Sequence, residues 1–121
     1  MSTGALPLRP SALAEVDEAL LREIVRRIVE CCAPRRIILF GSRARGAHRP
    51  DSDVDLFVEM ETAAKPFERR ARIRALFRDR RWGLDILVYT PAEVAQRRDS
   101  LVSLVPIIEQ EGHVLYERKG S

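Results

Sequence analysis

The sequence predicts an α/β (α+β) fold in which helices flank one mixed β-sheet. Two observations support it: apolar residues recur at helical spacing in several segments, and short apolar runs of strand length lie between those segments. The predicted order is helix, strand, strand, helix, strand, helix, helix, strand. With 121 residues, the chain is long enough for one domain with a modest core. We expect a flexible tail at residues 1–10 and a single domain over residues 11–121.

The first helix and the first two strands have the clearest patterns. Helical spacing of apolar residues runs from Ser11 to Cys32, and Ser11 is the expected N-cap. The apolar run at residues 36–40 is typical of a central strand that is covered on both faces. A loop with a helical turn at residues 42–45 follows, and the second strand occupies residues 53–60.

Proline, threonine and glycine mark the elements of the second half. A helix that begins with proline is expected over residues 66 to about 80, and residues 83–90 form the third strand. Thr90 begins a capping box for a short helix. A last helix at residues 103–111 ends at a glycine and precedes an edge strand at residues 113–117.

The apolar and charged side chains of these later helices predict which faces are buried. In the helix at 66–80 the inner face is expected to be Phe67, Ala71, Ile73 or Arg74, Leu76 and Phe77. Its arginines are expected to form a solvated face. Apolar residues near the C-terminus are expected in the core, with an exposed interface as the alternative. These are Val102, Leu104, Val105, Ile107 and Ile108.

Composition excludes several classes of protein. Hydrophobic residues make up 45% and charged residues 32%, which is typical of a globular chain. No apolar stretch approaches the roughly 20 residues that span a bilayer, and no secretion signal opens the chain. We therefore expect a cytoplasmic protein without a membrane partner. The adjacent Cys31 and Cys32 are expected to be small core residues, because neighbouring cysteines rarely satisfy disulfide geometry.

Charge alone does not predict nucleic-acid binding. The net charge is +3, from 21 basic and 18 acidic residues. That balance is too even to indicate a nucleic-acid partner, and no series of aromatic residues interleaves the basic ones. A direct nucleic-acid ligand is therefore not expected.

Two carboxylates share one face of the second predicted strand. Residues i and i+2 of a strand point the same way, so Asp53 and Asp55 lie together. At about 6–7 Å apart they repel by about 3 kcal/mol at an effective dielectric constant near 20. A cation between them reverses the sign of this energy, and hard carboxylate oxygens favour Mg²⁺ or Mn²⁺.

A third carboxylate, Asp85, interrupts the apolar pattern of the third strand. If the second and third strands are neighbours, three acids converge, as in sites where two metal ions support displacement at phosphorus. The alternative is that Asp53 caps a strand and that Asp55 or Asp85 pairs with an arginine.

The turn that follows the first strand has the residues of an anion site. Gly41 allows the backbone to approach a ligand closely, and the Ser42 hydroxyl is a donor. Arg43 and Arg45 offer guanidinium groups that neutralise phosphate charge. A Gly-Ser turn alone is a weak signal; its distance from the two aspartates makes it informative.

Gly41-Ser42, ten intervening residues and then Asp53-x-Asp55 resemble the signature of the nucleotidyltransferase superfamily related to the polymerase-beta palm. The sequence segment FGSRARG…SDVDL closely resembles the corresponding segment of the minimal members that act as antitoxins to ribonuclease toxins with a HEPN domain. The resemblance implies a polymerase-beta-like nucleotidyltransferase palm.

The same resemblance implies a function and a set of roles. Gly41 and Ser42 would hold the triphosphate of ATP, and Asp53 and Asp55 would bind two Mg²⁺ ions. Asp85 would complete the metal site and help to activate the acceptor hydroxyl. The expected reaction transfers AMP from ATP to a tyrosine of a cognate HEPN toxin and neutralises it. The alternatives are an antitoxin that acts by binding alone, and a small-molecule nucleotidyltransferase that works with a separate subunit.

Overall fold

A four-stranded mixed sheet with helices on both faces forms the fold, in the order predicted. The structure is a computed structural model and describes residues 17–47, 49 and 51–119. The helices are α1 (Glu18–Cys32), α2 (Pro66–Arg74), α3 (Pro91–Arg97) and α4 (Val105–Glu111). The strands are β1 (Arg36–Phe40), β2 (Val54–Glu59), β3 (Leu84–Tyr89) and β4 (His113–Glu117). Two 3₁₀ turns occupy Gly41–Arg43 and Ala75–Phe77.

Helix α1 begins later than the helix predicted over residues 11–32. Asp17 is its N-cap: the backbone there is extended, and the side chain accepts a hydrogen bond from Leu20 N at 2.9 Å. This cap satisfies an amide that the first turn leaves without a helical partner, so the helix starts at the next residue. The predicted cap Ser11 and the predicted tail at 1–10 lie outside the described residues.

The strand order is β3-β2-β1-β4, which makes β1 and β2 the central strands. β1 runs antiparallel to both β2 and β4, and β2 runs parallel to β3. The prediction of a central first strand and an edge position for the last strand is confirmed. β3 forms the opposite edge.

Each face of the sheet buries its own apolar cluster, because side chains alternate between the faces along every strand. One cluster joins the sheet to α1 and α2 and includes Ile24, Ile28, Leu56, Ile73 and Phe77. The other joins it to α3 and α4 and consists of Ile38, Phe57, Val94, Val105 and Ile108. The two clusters explain why β2 is buried along nearly its whole length.

Helix α2 buries one arginine that was predicted to lie on the solvated face. The predicted inner face is confirmed for Ile73, Leu76 and Phe77, which pack in the core, and is wrong for Phe67, which is 73% exposed, and for the exposed Ala71. Arg69 is buried, so the prediction of a solvated arginine face is wrong at this position. The guanidinium of Arg69 donates to the carboxylate of Glu93 at 2.7 Å and to the carbonyl of Val88 at 3.2 Å. These bonds compensate its removal from water. The helical segment ends at Phe77 and not near Arg80.

The C-terminal apolar residues divide between core and surface. Val105 and Ile108 are buried, as predicted. Leu104 and Ile107 are about half exposed and Val102 is almost fully exposed, so the core prediction is wrong for these three. They lie before α4 or on its outer side. Pro in the first turn and Gly112 at the end of α4 are confirmed, as is the Thr90 capping box of α3.

Two further features concern cysteines and membranes. Cys31 and Cys32 are free and half-buried, and Cys32 packs against the core cluster beneath α1, so the core prediction holds for Cys32 alone. Within the described ranges, no helix has both the length and the apolar character that a bilayer crossing requires.

An ion-pair network holds α4 against the central strands. Arg36 lies 2.6 Å from the buried carboxylate of Glu59 on β2 and 2.7 Å from Glu109 on α4. Arg98 also contacts Glu109 at 2.7 Å. Arg98 and then Arg36 lower the pKa of Glu109. Because carboxylates stabilised in this way lose the benefit on protonation, the network contributes stability that falls as the solution becomes acidic.

Replacing Arg69 by methionine should destabilise the fold. The substitution keeps the packed aliphatic stem but removes the guanidinium that bonds the Glu93 carboxylate and the Val88 carbonyl, a loss of about 3 kcal/mol. Urea denaturation measures it. Arg81→Met, at an exposed position on the same segment, is the control and should change stability by less than about 0.5 kcal/mol. Equal stability of the two variants would show that the buried arginine contributes nothing.

Candidate active site

Three strand ends meet at one end of the sheet. β1 ends at Phe40, which pairs with Asp55 near the start of β2. In the parallel pair of β2 and β3, Asp55 stands opposite Asp85. Paired residues project to the same face of a sheet, and Asp53 shares that face through the two-residue period of a strand. The backbone therefore brings all three predicted carboxylates to the same face, beside Gly41.

The Gly41 corner lies directly against Asp55. Gly41 has a φ of +77°, which side-chain-bearing residues rarely adopt. A Cβ at this position would lie 3.1 Å from Asp55 Cγ and closer still to Asp55 Oδ2. The glycine is thus required twice, for the turn and for the space that the carboxylate occupies.

A second glycine makes the same kind of space for Asp53. A Cβ on Gly83 would lie 2.6 Å from Asp53 Cγ, and the carbonyl of Gly83 accepts a hydrogen bond from Val54 N at 2.8 Å. Gly83 therefore lets β3 approach the start of β2 with the carboxylate between them. Gly83 was not among the residues predicted for the site, although a glycine at the start of a strand often marks a close approach.

Asp55 carries the electrostatic strain of the cluster. Burial raises the pKa of this carboxyl above its usual range, and the charges of Asp85 and Asp53 raise it further. Arg45 and Arg43 act in the opposite direction and lower the pKa of Asp55, but they do not cancel the increase. The two arginines therefore do not fully compensate the negative charge at the point where the three acids meet.

Asp85 is more open than Asp55. Its side chain is 66% exposed, and Asp85 Oδ1 lies 3.9 Å from Nη2 of Arg74. Arg74 belongs to α2, which packs on the other face of the sheet, so its side chain reaches Asp85 around the open edge of β3. The alternative prediction, in which Asp85 pairs with an arginine, corresponds to this long contact with Arg74. Nothing in the sequence pattern distinguished Arg74 from its neighbours.

The carboxylates match a hard divalent cation in chemistry, since oxygen anions are the ligands that Mg²⁺ prefers. Among the described residues, however, no group of three acidic, histidine or cysteine side chains is arranged so that it could hold a metal ion. The strand register places Asp55 beside Asp85, whose carboxylate lies toward Arg74. Asp53 and Asp55 are the pair that the backbone holds together most directly.

The helical turn expected at residues 42–45 is present as a 3₁₀ turn that begins one residue earlier, at Gly41–Arg43. Arg43 is buried, and its Nε and Nη2 atoms donate to the carbonyl of Ser52 at 3.2 and 2.8 Å. This contact ties the turn to the residue before Asp53. Arg45 is exposed, and the Ser42 hydroxyl donates to no other described residue. Phosphate binding by these residues stays a prediction.

The chain belongs to the nucleotidyltransferase-domain family, whose model matches residues 19–81, slightly more than half of the chain. The matched segment includes Gly41, Ser42, Asp53 and Asp55 and ends before Asp85. A search of curated protein sequences finds no match.

Solved structures support the fold. A candidate nucleotidyltransferase from Sulfolobus solfataricus superposes with a TM-score of 0.62 at 18% identity, over 93% of this chain and 92% of that one. A toxin–antitoxin structure with AMP-PNP superposes with a TM-score of 0.60, also at 18% identity, over 82% of this chain and 74% of that one. The predicted nucleotidyltransferase fold is confirmed.

Removing the charge of Asp55 should stabilise the protein in the absence of metal. The raised pKa means that the folded state binds this proton more tightly than the unfolded chain does. The free energy of unfolding therefore falls as pH rises from the usual carboxyl pKa of about 4 through the higher folded-state value. At pH 7.5 with a chelator, Asp55→Asn should raise Tm by roughly a few degrees.

The gain should disappear as the pH is lowered toward about 4, where the native carboxyl is also neutral. Thermal denaturation at several pH values measures both effects. Asp51→Asn, at an exposed position outside the cluster, is the control and should leave Tm unchanged. A lower Tm for Asp55→Asn at pH 7.5 would contradict the strained-carboxylate account.

Proposed function

We propose that this nucleotidyltransferase transfers AMP from ATP to a tyrosine hydroxyl of a HEPN-domain toxin in the cytoplasm and so acts as its antitoxin. The observation that carries the proposal is the Gly41 corner packed against Asp55, with Asp85 in the next strand. Family membership supports nucleotide transfer. The toxin–antitoxin structure with AMP-PNP supports ATP and a toxin partner, and so does the sequence resemblance.

Each site residue receives a role from its position. Gly41 and Ser42 hold the triphosphate, because the turn exposes backbone and a hydroxyl beside the acids. Arg45, exposed on the same loop, neutralises phosphate charge, and Arg43 does so while fastening the loop to Ser52. Asp53 and Asp55 hold two Mg²⁺ ions, with Mn²⁺ as an alternative. When bound, these ions withdraw charge from the phosphates and relieve the repulsion between the acids.

At phosphorus, the transfer step forms one bond and breaks one. The tyrosine oxygen bonds to the α-phosphorus of ATP while the bond from that phosphorus to the bridging oxygen breaks, and pyrophosphate leaves. Asp85 accepts the hydroxyl proton, for which its exposed carboxylate is suited. The same exposure leaves room for an acceptor as large as a protein.

A second candidate is neutralisation by contact alone, without chemistry. The exposed apolar side chains near α4, Val102, Leu104 and Ile107, favour it because they could form an interface. A small-molecule nucleotidyltransferase that works with a separate subunit is a third. These candidates predict different effects of changing the acids, and the first experiment distinguishes them.

Incubation with α-labelled ATP, Mg²⁺ and the protein encoded by the adjacent gene should transfer label to a tyrosine of that protein. Asp53→Ala/Asp55→Ala should lower the rate by at least about 100-fold, because the carboxylates that position the ions are gone. Undiminished labelling by the double variant would show that the assigned site is wrong. If Asp53→Asn/Asp55→Asn neutralises the toxin as well as the wild type does, binding alone is the function.

A matched pair of glycine variants tests the Gly41 corner. Gly41 and Gly46 have nearly equal φ values of +77° and +73°, so alanine strains the backbone similarly at both. Only at Gly41 would the new Cβ meet Asp55, since nothing lies within 4 Å of a Cβ at Gly46. Backbone strain should cost each variant about 1 kcal/mol of stability, and Gly41→Ala should lose more because its Cβ meets the Asp55 carboxylate. Gly41→Ala alone should abolish ATP binding and transfer. Equal transfer rates for the two variants would contradict the proposed phosphate site.

A further inference from the structure

A groove of about 570 Å³ runs along the outer side of α2 and the 3₁₀ turn that follows it. Its lining consists of Phe67, Arg70, Ala71, Arg74, Ala75, Arg78 and Arg80. Four of these seven residues are arginines, and no acidic residue is among them. The groove is therefore strongly cationic, in a chain whose overall charge is nearly balanced.

The arginines of this groove differ from those of α1 in their partners. On α1, Arg22, Arg26 and Arg27 all form ion pairs with glutamates of the same helix. Within the part of the chain that the structure describes, Arg70 and Arg78 form no ion pair, and Arg74 has only its long contact with Asp85. Intramolecular ion pairs thus neutralise the arginines of α1. The arginines of the groove remain available to a ligand.

The groove also has an apolar part. Phe67 at one end is 73% exposed, and two alanines lie between the arginines. An exposed aromatic ring beside arginines is typical of the residues that dominate protein–protein interfaces. Sites for single-stranded nucleic acid stack successive bases on several aromatic rings, whereas this lining has one. A protein ligand therefore fits the groove better than RNA does.

One arginine of the groove reaches a residue of the active site. Arg74 lines the groove and lies 3.9 Å from Asp85, the carboxylate assigned to the acceptor hydroxyl. To reach Asp85, a chain segment in the groove would leave it at Arg74 and pass around the open edge of β3 to the other face of the sheet. From Arg70 to Arg78 the helical rise is about 12–14 Å, which about four residues of extended chain match.

We propose that this groove docks an acidic segment of the protein acceptor and thereby delivers its hydroxyl to Asp85. The identity of the acceptor as a protein rests on the proposed function. The chemistry of the docking segment follows from the groove itself: carboxylates pair with Arg70 and Arg78, and an apolar side chain packs on Phe67.

The test measures binding without ATP, so that it does not depend on catalysis. The probe is a fluorescein-labelled random copolymer of glutamate and tyrosine, followed by fluorescence anisotropy. Wild type should bind it, with an affinity that weakens as salt is added. Arg70→Glu/Arg78→Glu should bind at least tenfold more weakly. Arg70→Ala/Arg78→Ala should show a smaller loss, of about threefold or more, which guards against misfolding of the charge-reversed protein.

The matched control is Arg81→Glu/Lys119→Glu, which changes net charge by the same amount at exposed positions outside the groove. It should bind within about twofold of wild type. If it loses as much affinity as Arg70→Glu/Arg78→Glu, net charge and not the groove attracts the copolymer. Failure of wild type to bind also overturns the proposal, as does preferential, groove-dependent binding of an oligouridylate RNA.

Failure of the docking surface and failure of the proposed function remain distinguishable. Asp53→Asn/Asp55→Asn should bind the copolymer as wild type does, since the groove is intact. If binding depends on the groove but label never passes from ATP to a protein acceptor, the docking surface stands and AMP transfer is wrong. If transfer to the toxin occurs at the same rate and acceptor KM in wild type and Arg70→Glu/Arg78→Glu, the function stands and this docking surface is wrong.

Discussion

The in-register parallel pairing of β2 with β3 is the constraint on which the rest of the site depends. It sets Asp55 opposite Asp85, so two like charges occupy a position where neighbouring side chains are close. Asp53 adds a third negative charge on the same face. A slip of one residue would move a carboxylate into an apolar cluster, so burial of both faces enforces this register.

Two glycines and two ion-pair clusters make such a register tolerable. Gly41 and Gly83 leave the space that the carboxylates of Asp55 and Asp53 fill. Stability comes from elsewhere in the fold: from the two apolar clusters, from the pairs that Arg36 makes with Glu59 and Glu109, and from the buried guanidinium of Arg69. Repulsion is confined to the end of the sheet where a bound cation would convert it into attraction.

Arginines serve three different purposes in this chain, which explains why their abundance alone predicted little. Those of α1 pair with glutamates one helical turn away. Arg69 and Arg43 are buried and bind backbone carbonyls, so they organise the fold and the site loop. The arginines along the outer side of α2 keep their charge available, beside an exposed phenylalanine and next to Asp85. Local spacing identifies the first group, whereas only tertiary contacts separate the buried arginines from the available ones.

The sequence by itself determined the order of the elements and the acidic pair, because both depend on local periodicity: Asp53 and Asp55 share a face in any strand. It also determined the Thr90 cap and the glycine corner, which depend on the conformation of a few consecutive residues. Only the tertiary structure decided that β3 lies beside β2, that Gly83 faces Asp53, and that α2 buries Arg69 and exposes Phe67. These outcomes depend on partners far apart in the chain, such as Glu93 for Arg69, and no local pattern contains that information.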